Sequence, residues 1–140
     1  MSSRIRNGKA YEHTIFGLLT LEGFDIYFPL ADDQGIDGIL RVPNSDDGKP
    51  KYYDLQVKGG KQWANIRCKT KKLTKNSILL LFNSATNETI WLTYKDVIKH
   101  FPETGFQFGD IYLKKPIVEQ LKEKGFSNIE NLKLMLGIKS

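Results

Sequence analysis

Residues 52–60 read YYDLQVKGG, and the side chains of this run sort by parity, with Asp54, Gln56 and Lys58 alternating with Tyr53, Leu55 and Val57. Successive side chains of an extended chain point to opposite faces, so the acid, the amide and the amine share one face of a strand while the apolar residues pack on the other. Upstream, IDGILRV (36–42) is a second strand carrying Asp37, joined to the first by the turn PNSDDGKPK. Where two such antiparallel neighbours diverge at one end, Asp37 can meet Gln56 and Lys58.

Residues 8–23, GKAYEHTIFGLLTLEG, place Tyr11, Ile15, Leu18 and Leu19 on one helix face, closed by Gly23. At about 100° per residue Glu12 projects between Phe16 and Leu19, within the apolar arc, so a carboxylate faces inward. FDIYFPL (24–30) alternates as a strand with Phe24, Ile26, Phe28 and Leu30 on one side, and Pro29 marks an edge or an end. SILLLF (77–82) is apolar throughout, which predicts a strand buried on both faces at the sheet centre. TIWLTY (89–94) predicts another strand, and 94–101 a short helix entered near Thr93 and stopped by Pro102. After a loop over 103–115, a helix starts at Pro116 and ends before Gly125. A last helix follows, with Ser127 and Glu130 as a capping box and Ile129, Leu132, Met135 and Leu136 as a stripe for core packing or a subunit contact.

A chain of 140 residues, 40% hydrophobic and 26% charged, suits one soluble domain. No apolar stretch approaches the roughly eighteen residues that span a bilayer. The basic start MSSRIRNGKAYEH precedes no cleavable apolar region, and a single cysteine, Cys68, permits no internal disulfide, so a cytoplasmic setting is expected. Glycine-rich nucleotide motifs are missing, so no nucleotide cofactor is expected. His13 and His100 lack Cys or His partners at zinc spacing and are expected at the surface.

The net charge of +5 is unevenly spread. Residues 55–100 hold nine basic and two acidic residues, whereas residues 1–54 hold six and nine. Lys58, Lys61, Arg67, Lys69, Lys71, Lys72 and Lys75 fall in a stretch without acids, interleaved with Gln62, Trp63 and Asn65. Such a segment can neutralise phosphates while its amides and indole reach bases or sugars, although a solvated basic loop has the same composition. Lys61, Gln62, Trp63, Asn65, Arg67, Lys69, Lys71, Lys72 and Lys75 are therefore candidates for nucleic-acid contact.

The order of these elements resembles the PD-(D/E)xK nuclease superfamily. GKAYEHTIFGLLTLEGFDIYFP is similar to its opening helix with a metal-side Glu and following strand, DDQGIDGIL to its acidic motif, and DLQVKGG to its (D/E)-x-K motif with Gln in the first place. The resemblance covers about residues 8–100 and implies a single α/β domain with a restriction-endonuclease-like core. That core is a mixed sheet flanked by helices in αβββαβ order, and residues 101–140 form a helical extension available for oligomer or DNA contact. It implies a site-specific endonuclease of restriction or homing type that hydrolyses double-stranded DNA with Mg²⁺, or Mn²⁺ in its place. By the same resemblance Asp37, Gln56, the backbone carbonyl of Val57 and Glu12 hold metal, and Lys58 assists the attacking water or stabilises charge on phosphorus. Because one such site cuts one strand, a homodimer or higher homo-oligomer follows. A Holliday-junction resolvase and a catalytically inactive DNA-binding protein with the same fold remain alternatives, the latter because Gln56 is neutral where most members carry a carboxylate.

Overall fold

The computed structural model describes residues 3–30, 35–43, 47–69, 72–101 and 110–138. Helix α1 (Ser3–Leu21) is closed by Gly23, whose φ of 94° lies in the left-handed region that glycine adopts without strain. The N–H of Gly23 donates to the Thr20 carbonyl and that of Phe24 to the Leu19 carbonyl, which satisfies the last helical turn. The chain then enters strand β1 (Asp25–Tyr27), followed by β2 (Gly38–Val42) and β3 (Lys51–Gly60). Strand β1 is shorter than its alternation implies: Pro29 ends it, leaving Phe28 and Leu30 exposed.

β5 (Ser77–Asn83) and β6 (Glu88–Thr93) complete a sheet in the order β1-β2-β3-β5-β6, in which β3 and β5 run parallel and all other neighbours antiparallel. β5 is buried along its whole length, as SILLLF implies, but it lies beside the middle strand, which is β3. The mixed α/β sheet flanked by helices is present, and its order departs from αβββαβ at one connection. Among the described residues, the crossover from β3 to β5 holds a 3₁₀ turn (Trp63–Asn65) and a short strand, β4 (Arg67–Lys69), where a helix was expected. The physical reason is periodicity: buried Ile66 and Cys68 alternate with exposed Arg67 and Lys69, a strand pattern with no helical stripe.

β4 pairs with a strand inside the expected loop, β7 (Asp110–Tyr112). Among the described residues, three further helices follow β6: α2 (Tyr94–His100), α3 (Lys115–Glu123) and α4 (Ile129–Leu136). α2 opens on a reciprocal cap between Thr93 and Asp96, and α4 on Asn128, whose side chain accepts from the Glu130 N–H. The expected Ser127 cap is thus displaced by one residue, because Asn128 is the residue with extended backbone at the helix entrance.

The sheet separates two cores. Ile15, Phe16 and Leu19 of α1 and Leu132 of α4 pack on Leu55, Val57, Ile78, Leu80 and Phe82. Val97, Val118 and Leu121 with Ile66, Cys68 and Ile111 pack on Leu79, Leu81, Ile90 and Leu92 of the opposite face. Residues 110–138 therefore contribute to both cores, and Trp91 ties them to β6 through its indole N–H donating to the Asn128 carbonyl. Leu18, assigned to the inner face of α1, is half exposed. His13 is exposed, whereas His100 is half buried, its ring edge-on to Phe126.

Two glycines bring α1 down onto the sheet. The Tyr11 ring lies against Gly59 so closely that a Cβ there would overlap it, and a Cβ on Gly38 would stand 2.9 Å from the Phe16 ring. Gly59→Ala should therefore destabilise the protein by about 1–3 kcal/mol. Gly17→Ala, in the exposed middle of α1 with nothing within 4 Å, should stabilise it by about 0.5–1 kcal/mol. Urea denaturation of the two variants checks the opposite signs, and equal effects would contradict this packing.

Candidate active site

β3 outruns β2. The two strands pair from Val42/Lys51 to Gly38/Leu55, and the Asp37 N–H still donates to the Leu55 carbonyl at 2.8 Å. Beyond that point β3 continues to Gly60 with β5 on one side only. A strand edge left without a partner must satisfy its amides otherwise. The next amide facing the open edge, that of Val57, donates to the Asp37 carboxylate at 2.7 Å. The carbonyl of an extended residue lies on the same side as its N–H, so the Val57 carbonyl also faces this edge.

With Tyr11 on Gly59 and Phe16 on Gly38, α1 holds Glu12 above the same point. Glu12 shares a hydrogen bond with Asp37, and its outer oxygen lies 3.5 Å from the Lys9 ammonium. Burial, then the Asp37 charge and the hydrogen bond to it, push the Glu12 carboxyl up to about 7, with Lys9 opposing. Two carboxylates at this distance need a proton or a cation between them.

Glu12 and Asp37 line a cleft of about 600 Å³ together with Asn7, Gly8, Tyr11, Val57, Lys58, Gly59, Asn65 and Arg67. Glu12, Asp37, Val57 and Lys58, apart in sequence, are therefore brought together. Gln56 is not at the cleft wall. It is buried on the opposite face of the sheet, its side-chain oxygen 3.8 Å from the Cys68 thiol, and it lines a second recess with Asp54, Lys72 and Ser77. The shared face of Asp54, Gln56 and Lys58 thus looks toward the second core, and Lys58 reaches the cleft only because the open edge lets the cleft wrap around β3.

Among the basic-segment candidates, Asn65 and Arg67 line the cleft, and Lys61, Gln62, Lys69, Lys72 and Lys75 are exposed. Trp63 is half buried against the second core, so its ring is engaged in packing. Lys71 lies outside the described residues. Asn7, Gly8, Tyr11 and Gly59 were missed. The available signal was the glycine pair after Lys58: glycines inside a strand mark close approach of another group, and β3 runs through both.

Among the described residues, no group of three or more His, Cys, Asp or Glu is assembled that could hold a metal ion. What the cleft offers is the Glu12 and Asp37 carboxylates and the Val57 carbonyl in a solvent-accessible setting, an all-oxygen donor set that fits a hard divalent cation retaining several waters. No described helix is long and apolar enough to cross a membrane.

No protein-family model matches the chain, and no curated protein matches it. Among solved structures, the fold is similar to that of a bacterial homing endonuclease, I-Ssp6803I, with a TM-score of 0.61 and 14% identity over 97% of this chain and 96% of that one. The likeness spans nearly the whole of both chains, so the mixed α/β architecture is an endonuclease-like fold.

The raised Glu12 carboxyl has a consequence for stability. The folded protein binds the Glu12 proton up to about pH 7, whereas an ordinary carboxyl releases it near 4.5. This contribution is therefore fully present below 4.5 and lost as pH rises through about 7. Thermal unfolding without divalent cations should show stability falling across this window, and Glu12→Gln should remove that slope. An unchanged slope in the variant would contradict a proton shared by Glu12 and Asp37.

Proposed function

We propose that the protein is an Mg²⁺-dependent endonuclease of the PD-(D/E)xK type that hydrolyses phosphodiester bonds of double-stranded DNA, site-specifically and in the manner of a homing or restriction enzyme. The observation that carries this is the Glu12–Asp37 pair at the open edge of β3, facing Lys58 in one cleft. The endonuclease-like fold supports it, as does the run of basic residues that follows Lys58.

Asp37, the Val57 carbonyl and Glu12 would hold Mg²⁺, with Mn²⁺ as a substitute. When bound, the ion supplies Lewis-acid stabilisation of charge on phosphorus and favours ionisation of water. Asp37 is oriented by the Val57 N–H, and Glu12, whose carboxyl is pushed up to about 7, would have to give up its proton to serve as a ligand. The Lys58 ammonium stabilises the charge that develops on the non-bridging oxygens as water attacks in line and the opposite P–O ester bond breaks. Exposed Lys61, Lys69, Lys72 and Lys75 are available for sequence-independent phosphate contacts. One site cuts one strand, so a two-fold homodimer or a higher homo-oligomer is the proposed working form.

One observation favours a second reading. Gln56, neutral and buried toward Cys68, adds no ligand to the two carboxylates in the described part of the cleft, which suits a DNA-binding protein that has lost catalysis. Long duplex DNA and a four-way junction, each incubated with Mg²⁺ or EDTA, separate these cases. Mg²⁺-dependent duplex fragments support the endonuclease, symmetric junction nicks alone indicate a resolvase, and binding of both DNAs without cleavage in Mg²⁺ indicates the inactive protein.

Asp37→Ala and Lys58→Ala should each lower the cleavage rate by about 10²–10³-fold while duplex affinity stays within a few-fold. Wild-type cutting by either would refute the site. Gln56→Glu should leave the metal dependence of cleavage unchanged, because Gln56 lies outside the cleft, and a shifted metal profile would return its side chain to the metal shell.

A further inference from the structure

Resting on the nuclease reading, we propose that Arg67 is a further catalytic residue, a clamp on the scissile phosphate, and that Tyr112 is the residue that positions it. Arg67 and Tyr112 are direct cross-strand partners in the β4–β7 ribbon. Their neighbours Cys68 and Ile111 are almost fully buried, so alternation turns Arg67 and Tyr112 together to the outer face. The guanidinium carbon lies over the Tyr112 ring, 5.5 Å from its centroid. Arg67 also lines the cleft that holds Glu12, Asp37 and Lys58.

Among the described residues no carboxylate pairs with Arg67, even though the cleft contains two. A cation stacked on an aromatic face is held in orientation while its N–H donors stay available for an anion. The guanidinium fork matches two oxygens of one phosphate, a recognition that the point charge of Lys58 cannot duplicate. The arrangement fits a phosphodiester whose non-bridging oxygens face Arg67 and whose phosphorus sits near Asp37 and Lys58. It also gives a role to β7, whose Tyr112 ring supports Arg67 from beneath.

The test uses the full-length chain and supercoiled plasmid DNA with Mn²⁺, read as single-turnover nicking at saturating protein, alongside the affinity for a mixed-sequence duplex at several salt concentrations. Arg67→Ala and Arg67→Lys should each slow nicking by about 10²-fold. Arg67→Ala should also reduce the salt slope of duplex binding by about one, and Arg67→Lys should preserve it. Tyr112→Phe keeps the ring and should nick within about twofold of wild type, whereas Tyr112→Leu should be slowed about tenfold with the wild-type salt slope.

A wild-type rate at saturation in Arg67→Ala or Arg67→Lys, with wild-type nicking intact, overturns the clamp and leaves the nuclease reading standing. Equal loss in Tyr112→Phe and Tyr112→Leu overturns the positioning role. No nicking by the wild-type chain overturns the nuclease reading and the clamp with it.

Discussion

The hydrogen bond from the Val57 N–H to the Asp37 carboxylate is the constraint on which the rest of the site depends. It forms where β2 stops and β3 continues, and it supplies the amide partner that a further residue of β2 would have supplied. The strand edge is thereby left open without leaving that amide unsatisfied. A carboxylate held in this way is fixed by the backbone of two strands, independently of any bound ligand, and the cleft is built around it. Charge-assisted bonds of this kind contribute about 1.5–3 kcal/mol, so one interaction serves both the sheet and the geometry of the site.

The second constraint is steric. Helix α1 can bring Glu12 to Asp37 because Gly38 and Gly59 leave no side chain between helix and sheet, and Phe16 and Tyr11 occupy that space. The resulting pair of carboxylates is an electrostatic liability in the unliganded protein, relieved by a shared proton and by Lys9. Lys58 and Arg67 line the same cleft. Two carboxylates and two cationic side chains lining one cleft suit a phosphate and a divalent cation bound together, which is the basis of the proposed activity.

Much of this was legible in the sequence, for reasons that differ by element. Alternation located β2 and β3, the apolar run located β5, and Gly23 located the end of α1, because local pattern and tertiary burial agree at those places. The inward direction of Glu12 followed from helix geometry alone. Three things were hidden. Parity correctly grouped Asp54, Gln56 and Lys58, but which face of β3 meets α1 depends on where the second layer packs, and that layer includes α2, β7 and α3. Trp63 carried the composition of a nucleic-acid contact yet packs on a core that only the fold reveals. The Tyr11–Gly59 contact joins residues 48 positions apart: the glycine pair marks a close approach, but nothing local names Tyr11 as the group that makes it.

The most direct test of the account is calorimetric titration of Mg²⁺ into the protein near pH 6, in two buffers of different ionisation enthalpy. At this pH the Glu12 carboxyl, pushed up to about 7, is still largely protonated. The account predicts saturable binding of a cation with release of close to one proton per ion, and loss of that proton release in Glu12→Gln. Saturable binding without proton release, or binding unaffected by replacing Asp37, would contradict a cation site built on the Glu12–Asp37 pair.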